Sequence, residues 1–179
     1  MSSKGQCIPA AVPDFSMVNK MTDRKQLQEE IAELLLSQKL AVLSSQTPEG
    51  SSYSSLIAFA ATGDLQQIVL ATPRATRKFA NIKYNPKVSL LVDNRSNKEQ
   101  DLHDAKAVTV MGIVDEINLD ASQNDLASLY LQKHPYLDDF LHSPSTAFLL
   151  ISVYRYYLVS HFQEVMELHI RDENDLSAL

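Results

Sequence analysis

The stretch Thr72-Pro73-Arg74-Ala75-Thr76-Arg77-Lys78 places three of the chain's 16 basic residues within five positions, beside two hydroxyls. This is a composition for holding an anion. The segment follows a β-rich run and precedes a helical pattern, and a helix start offers unpaired N–H donors together with a partial positive charge. Arginine adds a two-pronged grip on phosphate oxygens and lysine a point charge. The same residues also suit solvated charges on an exposed turn, and residue types alone leave both readings open.

Other routes to an anion are closed. The 179 residues include only four glycines, Gly5, Gly50, Gly63 and Gly112, so neither a dinucleotide fingerprint nor a Walker loop can be assembled. A phosphate held here is gripped by side chains and a helix end. His103, His134, His142, His161 and His169 are dispersed without a His-x-x-x-His pair, and the single cysteine, Cys7, has no partner for a disulfide or a zinc cluster, so no metal site is predicted.

Twenty-two acidic residues against 16 basic give a formal charge of −6, which argues against a nucleic-acid partner, since a phosphate-backbone reader needs a broad basic surface. The aromatic run Val153-Tyr154-Arg155-Tyr156-Tyr157-Leu158 fits a barrel strand or a subunit interface better than a base-stacking platform. No apolar run approaches the ~20 residues of a spanning helix, so no membrane partner is expected. The first 24 residues lack the basic start and apolar block of a signal peptide, and the lone cysteine agrees with a reducing compartment, so the expected location is cytoplasmic.

The elements that must position the basic turn follow from periodicity. With 45% hydrophobic and 21% charged residues, the composition suits a single globular domain over 22–179 behind a flexible leader, 1–21, that contains Pro9 and Pro13. A capping pair at Asp23 and Gln26, then Leu27, Ile31, Leu34 and Leu35, predicts a helix over about 23–37. Strands are predicted over 40–45, 52–60 and 67–72, joined by turns at Thr47-Pro48-Glu49-Gly50 and Thr62-Gly63-Asp64, hence antiparallel. Thr76 caps a short helix that stops before Pro86. Strands follow over 87–93 and 107–117, the latter with a bulge at Gly112, separated by a polar loop over 94–104. A helix from Asp120 to before Pro135 and strands over 147–160 and 161–170 complete the pattern. The expected fold is mainly β, a six- to seven-stranded antiparallel barrel, closed or partly closed, with flanking helices.

The series Ile68-Val69-Leu70-Ala71-Thr72 … Thr76-Arg77-Lys78 … Asn81-Ile82 … Asn85-Pro86-Lys87-Val88-Ser89-Leu90-Leu91-Val92-Asp93 resembles the pyridoxamine 5′-phosphate oxidase-like family of FMN-binding split barrels. The likeness extends to Leu40–Phe59 and to Ala107-Val108-Thr109-Val110-Met111-Gly112, about residues 25–117 in all. By resemblance, Thr76, Arg77 and Lys78 bind the flavin phosphate, Thr72 is a further flavin contact, and Ser54, Ser55 and Leu56 run along the ring and ribityl chain. Asn94 and Arg95, in Asp93-Asn94-Arg95-Ser96-Asn97, resemble a loop in a branch of these proteins from which Arg95 reaches the flavin, across a dimer. Asp and Asn side chains bonding the backbone explain the same loop equally well. The resemblance implies an FMN cofactor, a homodimer with the flavin at the subunit interface, and an oxidoreductase acting on a small-molecule substrate or electron donor.

The chain departs from true pyridoxamine-phosphate oxidases. It has no tryptophan, and Glu167-Leu168-His169-Ile170-Arg171 lacks the arginine that precedes the histidine in the family's C-terminal substrate signature. Ala107 stands where family enzymes place a glutamine near the flavin. A flavin site without an identified substrate site remains. The alternative is a haem- or cofactor-binding protein for storage, transfer or sensing, with His161 or His169 as candidate iron ligands. Deazaflavin in place of FMN is a related reading.

Overall fold

The computed structural model describes residues 15–119, 124–160 and 164–176. Both predicted turns form. Gly50 N donates to Thr47 O at 2.9 Å and Ser51 N to Thr47 Oγ1 at 3.2 Å, while Gly50 takes a φ of +85°, which glycine adopts without a Cβ clash. This turn joins β1 (Leu40–Gln46) to β2 (Ser52–Ala61), with Leu40 opposite Ala58 and Gln46 opposite Ser52. In the second turn the Thr62 hydroxyl donates to Asp64 Oδ1 at 2.6 Å and Thr62 N to Gln67 O at 2.9 Å. It leads into β3 (Gln67–Pro73). Leu65 in this turn takes a φ of +62°, and that strained backbone is held by its buried side chain and by the Tyr156 hydroxyl, which donates to Leu65 O at 2.8 Å.

The strands β4 (Lys87–Asp93), β5 (Ala107–Ile117), β6 (Thr146–Ser160) and β7 (Glu164–His169) complete one antiparallel sheet in the order β3-β2-β1-β4-β5-β6-β7. A further β3–β6 pairing closes the first six into a barrel. β6 does two jobs with its two halves. Thr146–Ser152 pairs with β3, and Arg155–Ser160 pairs with β7, which lies outside the barrel. Alternate residues fill the interior: Leu43, Phe59, Leu70, Leu90, Val110, Leu149, Ile151 and Tyr156 are fully buried in one apolar cluster. Each such side chain contributes about 1.5–3 kcal/mol by leaving water. The bulge predicted at Gly112 is present as a register shift between Met111 and Gly112. A Cβ on Gly112 would lie 2.2 Å from Ile151 Cγ2, which is why glycine stands there.

Helix α1 (Phe15–Ser37) lays Leu27, Ile31, Leu34 and Leu35 into the core beside β2, β4 and β7. It begins eight residues before the expected start. Asp23 and Gln26 therefore lie inside the helix and are not its cap, because no proline or glycine interrupts the chain between Pro13 and Pro48. Helix α2 (Arg77–Tyr84) follows β3 as predicted. The expected loop over 94–104 ends in one helical turn, α3 (Asp101–Asp104), nucleated where Asp101 accepts from Ser96 N and Lys98 N. Helix α4 (Asn124–Lys133) packs Ala127 and Tyr130 over β2 and β3 in a second apolar cluster with Phe148 and Leu141. A 3-10 turn (Pro135–Leu137), α5 (Asp138–Leu141) and α6 (Glu173–Leu176) are short connections not evident from the sequence pattern. Among the described residues no helix is long and apolar enough to cross a membrane.

Candidate functional site

The head of α2 is built by its threonines. Thr76 is the N-cap, in extended conformation, and its Oγ1 accepts from Phe79 N at 3.4 Å. The same hydroxyl donates to Pro73 O at 2.8 Å, so in the 3.2 Å contact between Thr72 Oγ1 and Thr76 Oγ1 it is the buried Thr72 that donates. The first-turn N–H groups of Arg77 and Lys78 precede the helix's own ladder and point outward from it.

The three basic residues separate. Arg74 turns away: it forms an ion pair with Glu116, which also binds Lys83 at 3.5 Å, and its guanidinium lies 5.6 Å from the Phe79 ring centroid. Lys78 reaches the opposite way and donates to the Leu56 carbonyl at 2.8 Å, at the stretch of β2 that β3 no longer accompanies. Burial pushes the Lys78 ammonium below its ordinary range. Arg77 is exposed. The Glu49 carboxyl is held below its ordinary range mainly by the Thr47 side chain, with the Arg77 charge as a lesser cause. Neither Arg77 nor Lys78 has a carboxylate within ion-pair distance among the described residues.

Helix α2 is fastened to the barrel by amides. Asn81 is buried, and its Nδ2 donates to Ser45 Oγ at 3.1 Å; Asn85 Nδ2 donates to Gln46 Oε1 at 2.8 Å. These two bonds fix the helix on β1 and thereby aim Lys78 at β2. Asn81 was not among the expected site residues. Its signal was an amide on the face of a short helix otherwise buried through Ile82.

The pleat divides the predicted β2 residues. Ser54 and Leu56 are exposed on the outer face, where Ser54 Oγ meets Ser44 Oγ at 3.0 Å. Ser55 alternates to the inner face, and its Oγ is buried with no hydrogen-bond partner among the described residues. Asn94 and Arg95 lie on the β4–β5 connection. Asn94 Oδ1 accepts from Lys106 N at 2.7 Å, and Asp93 Oδ1 accepts both Arg95 N and, at 3.1 Å, Arg95 Nε. Side chains bonding the local backbone thus hold this loop, and no hydrogen bond or ion pair among the described residues joins it to the head of α2. His169 lies on β7 with Nε2 3.1 Å from Glu167 Oε2, whereas His161 lies outside the described residues. Ala107 opens β5 opposite Val159.

The structure therefore brings together Leu56, Thr72, Thr76, Arg77 and Lys78, turns the Ser55 side chain to the other face of β2, and leaves Asn94 and Arg95 apart. Leu56 and Arg77 are exposed there. Among the described residues, four concavities of about 300–890 Å³ are lined by residues other than 72–78.

A six-stranded closed antiparallel barrel with a cationic helix head at the β3–α2 junction defines the class: a small β-barrel whose polar chemistry lies on its outer wall. Residues 27–160 match the family model described as pyridoxamine 5′-phosphate oxidase, and the chain belongs to that family. No curated protein matches it in sequence. Among solved structures, a heme binding protein from Mycobacterium smegmatis superposes with a TM-score of 0.70 at 16% identity, covering 79% of this chain and 57% of its own. Campylobacter jejuni ChuZ gives 0.71 at 13%, over 82% of this chain and 60% of its own. A FAD-binding protein from Mesorhizobium loti gives 0.60 at 16%, over 73% and 90%. The chain thus spans well under two thirds of the first two proteins' lengths, and at these identities the likeness is one of fold.

Proposed function

We propose that the chain is an FMN-binding flavoprotein, an oxidoreductase acting on a small-molecule substrate or electron donor. It works as a cytoplasmic homodimer with the flavin at the subunit interface. The observation that carries this reading is a pair of cations with no carboxylate in ion-pair distance among the described residues, Arg77 and Lys78, on the first turn of a threonine-capped helix in a member of this family. A phosphate dianion there meets the helix end, a guanidinium and an ammonium together. The Leu56 carbonyl, now holding Lys78, supplies an acceptor along β2 for the rest of the cofactor. The bound flavin supplies the electron transfer, and the protein's part is to bind, orient and tune it.

The homodimer is supported by the open surface and its apolar character. Leu56 is 64% exposed and Leu40 54%, and the two share the outer face of the β1–β2 pair. A second copy on this face removes that area from water and walls the phosphate seat that one chain leaves bare. Arg95 of such a copy is the residue to complete the site.

Titration of the purified protein with FMN and with riboflavin, followed by flavin fluorescence, tests the reading. FMN saturates and riboflavin, lacking the phosphate, binds at least about tenfold more weakly, because a charge-assisted bond contributes about 1.5–3 kcal/mol. Equal affinity for both overturns it. Parallel titrations with a deazaflavin and with haemin complete the test. A Soret band with haemin and no flavin binding selects the alternative that the fold likeness to a heme binding protein supports. Reduction of bound flavin by a nicotinamide donor establishes turnover, and sedimentation gives the mass of a dimer.

A further inference from the structure

The C-terminal ends of α1 and α4 meet the β2–β3 turn, at residues distinct from those of the basic turn. Between them lies a concavity of about 400 Å³, lined by Ala32, Leu36, Ala61, Leu65, Leu129 and Lys133 among others. Its wall is mostly apolar carbon, and its volume lies in the range of small-molecule sites. At the liquid volume of one water, ~30 Å³, per non-hydrogen atom, it admits about a dozen such atoms. Leu36 stands at its mouth, 80% exposed.

The one charged lining residue among those described is Lys133. Its Nζ donates to Leu35 O at 2.7 Å and lies 3.8 Å from the Phe59 ring centroid. Lys39 approaches from the α1–β1 connection and donates to Lys133 O at 3.2 Å, and the buried His134 ring follows Lys133 and donates to Phe59 O at 2.9 Å. No described carboxylate pairs with Lys133 or Lys39. The carbonyls at the helix ends compensate only part of this charge, about half a unit per helix. Burial, with Lys39 as a lesser cause, accordingly lowers Lys133 from the ordinary 10.5 to about 8.

We infer that this concavity is a binding site for a small amphipathic carboxylate, whose apolar body lies against Leu36, Leu65 and Leu129 and whose carboxylate pairs with the Lys133 ammonium. Charge complementarity selects the class. A neutral apolar ligand leaves the ammonium without a counter-ion, an amine repels it, and only an anion of modest length satisfies both wall and charge. The site is independent of the flavin seat.

Calorimetric titration of the full chain with sodium octanoate, 1-octanol and octylamine tests it, with methyl NMR of Ala61 and Leu129 to locate the ligand. Octanoate binds saturably at one site, octanol at least about tenfold more weakly, and octylamine not at all. Lys133→Met weakens octanoate by at least about tenfold, equivalent to 1.4 kcal/mol. Leu36→Glu, a change at an exposed position that leaves folding intact, weakens it likewise by placing a like charge at the mouth. Octanol equalling octanoate, or octanoate affinity unchanged in both variants, overturns the inference. So does absence of octanoate binding while the pocket methyls shift with protein concentration, which assigns the concavity to a second copy of the chain.

Discussion

Lys78 and Lys133 each rest on a backbone carbonyl, and their surroundings give them opposite characters. Lys78 lies in the first turn of α2, at the positive end of a helix, beside Arg77 and two threonine hydroxyls on an open surface. Lys133 ends α4 and donates into the end of α1, at the negative poles of two helices, inside an apolar concavity. At the first position helix field and side-chain charge add, which favours a ligand of high charge density and needs no pocket. At the second they partly cancel, and shape and apolar area must contribute the rest. The same residue type thus underlies the proposed phosphate seat in one place and the proposed amphiphile pocket in the other.

The largest effect that sharpens this contrast is the double substitution Arg77→Ala with Lys78→Ala. FMN affinity falls by at least about a hundredfold, from two charge-assisted contacts at roughly 1.5 kcal/mol or more each, and octanoate affinity is unchanged. Equal loss of both ligands in a titration breaks the distinction. Next comes Asn81→Ala, which leaves the Ser45 hydroxyl buried without its donor. It lowers unfolding free energy in urea by about 1–3 kcal/mol and weakens FMN less than the double variant does, since it acts only through the placement of α2.

A pH titration tests the Lys133 side. The folded protein holds this group at about 8 against the ordinary 10.5, so between those values the unfolded chain binds more protons than the folded one. Stability therefore rises as pH increases from about 8 towards 10.5. Lys133→Met removes that part of the slope in urea melts, and octanoate, by pairing with the ammonium, shifts its onset to higher pH. The smallest effect is Ser55→Ala. Because its hydroxyl is buried with no partner among the described residues, removing it relieves a desolvation cost and unfolding free energy rises by about 1 kcal/mol, while FMN affinity is unchanged because the side chain faces the barrel interior.

Much of the barrel was legible because two-residue alternation is a local signal: β4 and β5 have their predicted bounds. The start of α1 was not. Asp23 and Gln26 mimic a capping pair, and the apolar residues upstream, Phe15, Val18 and Met21, do not continue the stripe of Leu27, Ile31 and Leu34. The helix head at the basic turn was legible since cap, charges and proline stop are contiguous in sequence. What could not be read was which charges stay free. Arg74 is drawn to Glu116, 42 positions away on β5, and only the folded sheet brings them together. The pocket around Lys133 is harder still, being assembled from α1, α4 and the β2–β3 turn, none of which carries a motif.

The double duty of β6 has a consequence for biogenesis. It mates with β3 along one half and β5 along nearly all its length, so until the ribosome has released residues beyond about 160 both of those strands present bare, apolar rims. The nascent chain must be shielded through that interval, and closure of the ring is a late, all-or-none event that sets how fast the molecule matures.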